Sequence, residues 1–245
     1  MDKESILGFE VCNTNYSEIV REIFKDFSNN ISNFIVNINP EIIIKNYKNK
    51  DLIQIFNSEK YQIPDGIGIV YASKMSKGSI NQRITGIDLM NEICVESIKY
   101  NSKIFLYGSK IGVADKAKEE LEKKIHGINI VGTCNGYEKE EMVLESINKS
   151  GANILFVGLG SPKQEQFIIN HRSELKSVKI FMPVGGSFDV ISNSIKRAPD
   201  WIIRCNLEWL YRLIKQPRRV FRQLKLIKFI FLVLIHKKDG GKNNG

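Results

Sequence analysis

Several short stretches of this 245-residue chain bring together residue types that can do chemistry at close spacing. Gly185-Gly186 closes the apolar run Ile180-Phe181-Met182-Pro183-Val184 and is followed by Asp189. A glycine turn after a strand lets the backbone approach a phosphate or a sugar closely. Arg204, Arg212, Arg218, Arg219 and Arg222 follow downstream, and a planar guanidinium can grip two oxygens of a diphosphate at once. Asn39-Pro40-Glu41 gathers polar groups at the end of Phe34-Ile35-Val36-Asn37-Ile38, although Asn39 capping a helix that opens at Pro40 explains the same pattern. Pro64-Asp65-Gly66 is a turn signal whose carboxylate, set between an apolar lead-in and a glycine-rich exit, can act as a general base if burial favours the protonated form. Arg83 is either part of such a site or a solvated loop charge.

Other chemistries lack their residues. Gly158-Leu159-Gly160 has Lys163 where a third glycine would complete a dinucleotide fingerprint, and no acidic residue ends a strand about twenty positions later. There is no GxxxxGK[ST] and no DxD pair, so neither a P-loop ATPase nor a metal-clamped diphosphate is expected. Cys12, Cys94, Cys134 and Cys205 are far apart, which argues against zinc and against a disulfide framework. No metal or other cofactor is therefore expected.

The charge is localised. From Lys196 onward there are 13 Lys and Arg against 3 Asp and Glu, whereas residues 1–195 hold 23 against 24, so the whole excess of the +9 total sits in the tail. Such a tail suits an anionic surface. The start, MDKESILGFEVC, lacks an apolar run, and the longest apolar stretch, Phe229–Ile235, is too short to span a bilayer, so a cytoplasmic protein is expected.

The elements that must position these residues repeat one grammar. Strands are predicted at 34–38, 104–107, 128–131, 154–157 and 178–184, most ending in glycine or a polar turn. Helices are predicted at 89–100, 113–125, 142–149 and from the Gln164 region to about Leu175, with a helical pattern over Ile19–Phe27. Strand, glycine turn and helix in repetition predict an α/β fold, a Rossmann-like parallel sheet with helices on both faces, whose site lies at the strands' carboxyl ends. The expected organisation is a body over 1–195, with an acceptor and catalytic lobe to about 100 and a nucleotide-binding lobe after it. A helical appendage over 196–238 and a disordered tail over 239–245 complete it. In the appendage, Val220, Leu224, Ile227, Phe231 and Leu234 fall on one helix face, with Arg218, Arg222 and Lys225 opposite. That pattern suits a helix lying in a membrane interface, or one packed on the body or a second subunit.

In order along the chain, Asn39-Pro40-Glu41, Pro64-Asp65-Gly66, Arg83-Ile84-Thr85-Gly86, Gly158-Leu159-Gly160-Ser161-Pro162-Lys163-Gln164-Glu165, Gly185-Gly186-Ser187-Phe188-Asp189, Arg197-Ala198-Pro199 and Leu207-Glu208-Trp209-Leu210-Tyr211-Arg212 with Pro217-Arg218-Arg219 resemble the WecG/TagA/CpsF family of glycosyltransferases, glycosyltransferase family 26. The resemblance implies an inverting, metal-independent enzyme, peripheral on the inner face of the bacterial membrane. It would move N-acetylmannosamine or its uronic acid from a UDP-sugar to a polyprenyl-diphosphate-linked N-acetylglucosamine in teichoic acid, capsule or related surface-polymer assembly. Carried onto this chain, it makes Asp65 the general base, with Asn39 and Arg83 lining the sugar and acceptor pocket and Gln164 on the sugar side. Tyr137, Gly185, Gly186 and Asp189 would hold uridine and diphosphate, and Arg212, Arg219 and Arg222 would close over the site and neutralise the departing phosphates. Asn37 stands where a threonine is expected in the teichoic-acid members, which leaves the donor sugar open, a glucose or glucuronate type included. The contrasting reading is a non-enzymatic nucleotide-binding module with a nucleic-acid-binding arm; the apolar face opposite the tail arginines argues against nucleic acid. A homo-oligomer is left open.

Overall fold

Alternation of side chains along short apolar strands decides the architecture. The structure, a computed structural model, describes residues 1–215 and 220–240. Strands β1 (Lys3–Ile6) and β2 (Phe9–Cys12) form an antiparallel hairpin before α1 (Tyr16–Ser28). Next come β3 (Asn33–Ile38), α2 (Pro40–Asn46), α3 (Lys50–Ser58), β4 (Tyr61–Pro64), α4 (Ile67–Met75) and α5 (Gly86–Ser97). The regular half follows with β5 (Ile104–Gly108), α6 (Val113–Lys124), β6 (Ile130–Cys134), α7 (Glu140–Ser150), β7 (Ile154–Gly158), α8 (Lys163–His171), β8 (Ile180–Pro183) and α9 (Ser187–Ile191). The chain ends in α10 (Asp200–Arg204), α11 (Glu208–Lys215) and α12 (Val220–Gly240).

Six strands form one parallel sheet in the order β4-β3-β8-β7-β5-β6. Successive residues face opposite layers. Phe34, Val36, Phe105, Leu155 and Phe181 pack under α2, α3, α4, α7, α8 and α12. Ile35, Leu106, Ile154, Phe156 and Met182 pack under α1, α5, α6 and α9. Strands buried on both faces read as continuous apolar runs, as these do. The parallel sheet covered on both faces is the expected α/β class.

β3 leads into α2 on one face of the sheet and its neighbour β8 into α9 on the other, and a crevice is expected between such strand ends in an open parallel sheet. The pairing of these strands covers only Asn33 with Ile180 and Phe34 with Phe181. Beyond it Asn37 Nδ2 donates to the Pro183 carbonyl at 2.8 Å, so a side chain takes the place of the ladder.

Local differences from expectation have physical causes. β6 lies two to three residues later than 128–131, and its register with β5 shifts beside Ile104 and Phe105. The appendage helix α12 does pack on the body: Phe229 and Val233 are buried among α2 and α4 residues. The expected interfacial stripe is exposed where it is described, at Ile227, Phe231 and Leu234. Asp239 and Gly240 are the last residues of α12, and the rest of the tail expected to be disordered lies outside the described residues.

Candidate active site

Each strand of the central sheet ends in a turn that feeds one cavity of about 880 Å³, within the range of small-ligand sites. At the end of β3, Asn39 Oδ1 accepts from the Ile42 N–H at 2.9 Å, capping α2 with Pro40 at its first position. Its other end donates, Nδ2 to Asp65 Oδ2, at 3.0 Å. The two sequence readings of Asn39, cap and site residue, are therefore both realised by one side chain.

Asp65 is placed by the backbone. Its N–H donates to the Ile38 carbonyl at 2.8 Å, tying the tip of β4 to the tip of β3. Gly66 follows with φ of 94°, a conformation a side chain would strain, and turns the chain into α4.

The next loop contributes Arg83, Thr85 and Gly86 to the wall. Arg83 is not a solvated loop charge: it is half-buried, and Nη2 donates to the Ile203 carbonyl at 3.0 Å, fastening α10 to the cavity. Thr85 caps α5 and bonds Asp88, which pairs with Arg197 at 2.7 Å. The Arg-Ile-Thr-Gly and Arg-Ala-Pro stretches thus meet in space.

Opposite stand the loops after β5, β6, β7 and β8. Gly136 N–H donates to the Ser109 carbonyl and Ser109 N–H to the Gly158 carbonyl, both at 2.9 Å, so three loops are laced by backbone. The fit is tight: a Cβ on Gly108 would lie 2.5 Å from the Gly158 carbonyl carbon. Gln164 staples the fourth loop to the third, its Oε1 accepting from Gly160 N–H at 3.1 Å and Gly185 N–H at 2.9 Å. Its amide donates to Glu165 Oε1 at 2.9 Å. Burial pushes the Glu165 carboxyl above its ordinary value, and its Oε2 has no hydrogen-bond partner among the described residues. Tyr137 stands exposed at the rim, its N–H held by Asn135 Oδ1.

Of the residues singled out from sequence, Asn37, Asn39, Asp65, Arg83, Tyr137, Gln164, Gly185, Gly186 and Asp189 all line this cavity. Asn37 does so as a bridge between splayed strands, with Oδ1 buried and without a hydrogen-bond partner among the described residues. Arg212 and Arg222 belong to α11 and α12, and Arg219 lies outside the described residues. Lys110 and the α4 and α12 residues that also line the cavity were not singled out from sequence, whereas Trp209 lies in the Leu207–Arg212 stretch. Lys110 directly follows the Gly108-Ser109 strand end, a signal that was present. Among the described residues no group of three His, Cys, Asp or Glu could hold a metal ion.

A profile of the glycosyl transferase WecG/TagA/CpsF family matches residues 4–243. The chain belongs to this family. Relatives share that extent. A Bacillus subtilis (strain 168) protein named N-acetylglucosaminyldiphosphoundecaprenol N-acetyl-beta-D-mannosaminyltransferase is 35% identical over 241 residues, covering 98% of this chain and 94% of its own. Proteins of the same name from Bacillus spizizenii and Staphylococcus aureus (strain MRSA252) are 36% identical over 210 residues and 33% over 241, covering 85% and 96% of this chain and 81% and 94% of theirs. As a member of the family the chain is a glycosyltransferase.

Proposed function

We propose that this glycosyltransferase moves N-acetylmannosamine from a UDP donor to N-acetylglucosamine carried on a polyprenyl diphosphate, with inversion and without a metal. The observation that carries the reading is the Asn39–Asp65 pair, set in one cavity with the laced glycine loops. The names of the relatives supply the acceptor and the sugar.

In this reading the loops ending in Gly160, Gly185 and Gly186 receive the diphosphate, and Tyr137 and Asp189 meet the uridine side. Asp65 takes the proton of the acceptor hydroxyl while that oxygen forms its bond to the anomeric carbon on the face opposite UDP. The bond from that carbon to the UDP oxygen breaks, and UDP leaves with the electron pair. Asn39 orients the Asp65 carboxylate through its amide. Positive charge from Arg212, Arg219 and Arg222 offsets the charge growing on the leaving diphosphate, the role a metal would otherwise fill.

The enzyme works at an anionic membrane surface on the cytoplasmic side. Trp201 and Ile214 of the appendage are exposed, as are Ile227 and Phe231, in the basic part of the chain. No described helix is long and apolar enough to cross a membrane.

The test is transfer from a panel of UDP-sugars to a lipid-linked N-acetylglucosamine, with product anomer read by NMR and EDTA added in parallel. Transfer specific for the N-acetylmannosamine donor, inverted and insensitive to EDTA, is the expected result. Preference for a glucose or uronic donor would move the reading to another sugar, and abolition by EDTA would overturn the metal-free mechanism.

A further inference from the structure

Helix α4, with the sequence Ile67-Gly68-Ile69-Val70-Tyr71-Ala72-Ser73-Lys74-Met75, is apolar on two sides. One side, Ile69 and Val70, is buried in the core. The other, Ile67, Tyr71 and Met75, recurs at helical spacing and lines the cavity, and Tyr71 is 58% exposed. A helix apolar all round normally has both sides covered by protein. Here the second side faces α12, whose Leu226, Ile230 and Val233 line the same cavity at the spacing of one helix face. The two faces form an apolar arm of the cavity, and Asp65, at the head of α4, stands where the arm meets the polar end.

The arm is built to stay open on one side and closed at its root. A Cβ on Gly68 would lie 2.7 Å from Pro40 Cγ and 3.4 Å from Leu226 Cδ1, so α2, α4 and α12 touch there. Lys225 reaches Glu41 at 3.5 Å and Lys228 sits 5.0 Å from the Tyr47 ring centroid, which fixes α12 against α2. Away from the root the arm opens beside Tyr71 and Ile230, 44% exposed, and beside the exposed Ile227, Phe231 and Leu234.

The geometry points to a binding site for the first isoprene units of a prenyl-diphosphate acceptor in the arm between α4 and α12. The inference rests on the acceptor reading above. Three features single out this occupant. The arm is continuous with the cavity that holds Asp65, so one molecule can place a sugar at the carboxylate and its hydrocarbon between the helices. The side chains named along it, from Ile67, Tyr71 and Met75 to Leu226, Ile230 and Val233, are apolar or aromatic. From Ile67 to Met75 the wall runs about 12 Å at 1.5 Å per residue, room for about two or three five-carbon units with C–C bonds near 1.5 Å. The acceptor's tail is then read by the protein as well as by the bilayer.

Titration calorimetry without membrane tests the site apart from catalysis. The probes are prenyl diphosphates of increasing length, one, two and three isoprene units, below their micelle concentrations, with inorganic diphosphate as the reference. Each buried CH₂ is worth about fourfold in affinity before chain ordering is subtracted. Five carbons set an upper bound of about a thousandfold per isoprene unit, and with chain ordering and partial exposure subtracted the expected result is a Kd that falls at least about tenfold per added unit. That dependence should flatten in the Tyr71→Ser/Ile230→Ser variant, whose two positions are exposed enough to spare the fold. A Kd indifferent to chain length overturns the site, and so does a dependence equally steep in the variant, which would mean adsorption elsewhere. Failure to transfer to any acceptor in a parallel assay, while the length dependence holds, would sink the proposed reaction and leave the prenyl site standing. Transfer present with a flat dependence would do the reverse.

Discussion

Asn39 carries two jobs on the two ends of one carboxamide, and substitutions can separate them. Its Oδ1 caps α2 through Ile42, and its Nδ2 donates to Asp65 Oδ2 at 3.0 Å. Asn39→Asp keeps an acceptor for the cap, since Asp and Asn serve equally there. It removes the donor to Asp65 and sets a second carboxylate against the first. A hydrogen bond to a charged group is worth about 1.5–3 kcal/mol, so kcat/KM at neutral pH should fall by about tenfold to more than a hundredfold. Repulsion between the carboxylates favours a proton on the pair, so the acid limb of the rate profile should move to higher pH. At mildly acid pH, where a proton neutralises the pair, thermal stability should stay near the native value, whereas at neutral pH the same repulsion lowers it. Asn39→Ala loses the cap as well, about 1 kcal/mol, and should melt about 2–4 °C lower. Stopped assays across pH and differential scanning calorimetry read both quantities. Native-like activity in Asn39→Asp would refute the coupling to Asp65, and an equal loss of melting temperature in both variants at mildly acid pH would refute the cap.

Gln164→Leu strips two backbone N–H groups, on Gly160 and Gly185, of their acceptor; each such loss costs about 1–3 kcal/mol. KM for the nucleotide sugar should rise at least about tenfold, with little change if the loops stand without the staple. Asp26 is buried, and although burial alone would raise its pKa, bonds from Lys60, Tyr61 and Asn33 outweigh it and hold the folded value below the ordinary 3.8. Its stabilisation is therefore present above about pH 3.8 and lost as pH falls through the folded value. Asp26→Asn should lower the melting temperature near neutrality and flatten its decline in acid, and an unchanged acid transition would count against this. Arg83→Ala releases the Ile203 carbonyl, so limited proteolysis should cut sooner within 200–215; an unchanged digestion pattern would show that α10 is held by other contacts.

Much of this was legible in the sequence because glycine turns after apolar runs allow few structures. The runs at 104–107, 154–157 and 178–184 became central strands, and the turns after them became cavity wall. The β1–β2 hairpin was not anticipated: its turn residues, Leu7 and Gly8, have φ of 52° and 86°, and leucine gives no signal for a left-handed position. The face by which α12 docks was hidden for another reason. Residues 229–235 are apolar all round, so periodicity cannot choose between Phe229 with Val233, which are buried, and Phe231 with Leu234, which are exposed. The staple by Gln164 and the bridge by Asn37 join segments 21 and 146 residues apart, and no local pattern reports such pairings.

The central claim is that Asp65 is the base of a sugar transfer to a lipid-linked acceptor. The most direct measurement is acceptor-dependent UDP release from UDP-N-acetylmannosamine by the native chain and by Asp65→Asn. Release should require the acceptor and fall by at least about a hundredfold in the variant, as for the loss of a general base, with the variant still binding UDP. Acceptor-dependent release that persists in Asp65→Asn would contradict it.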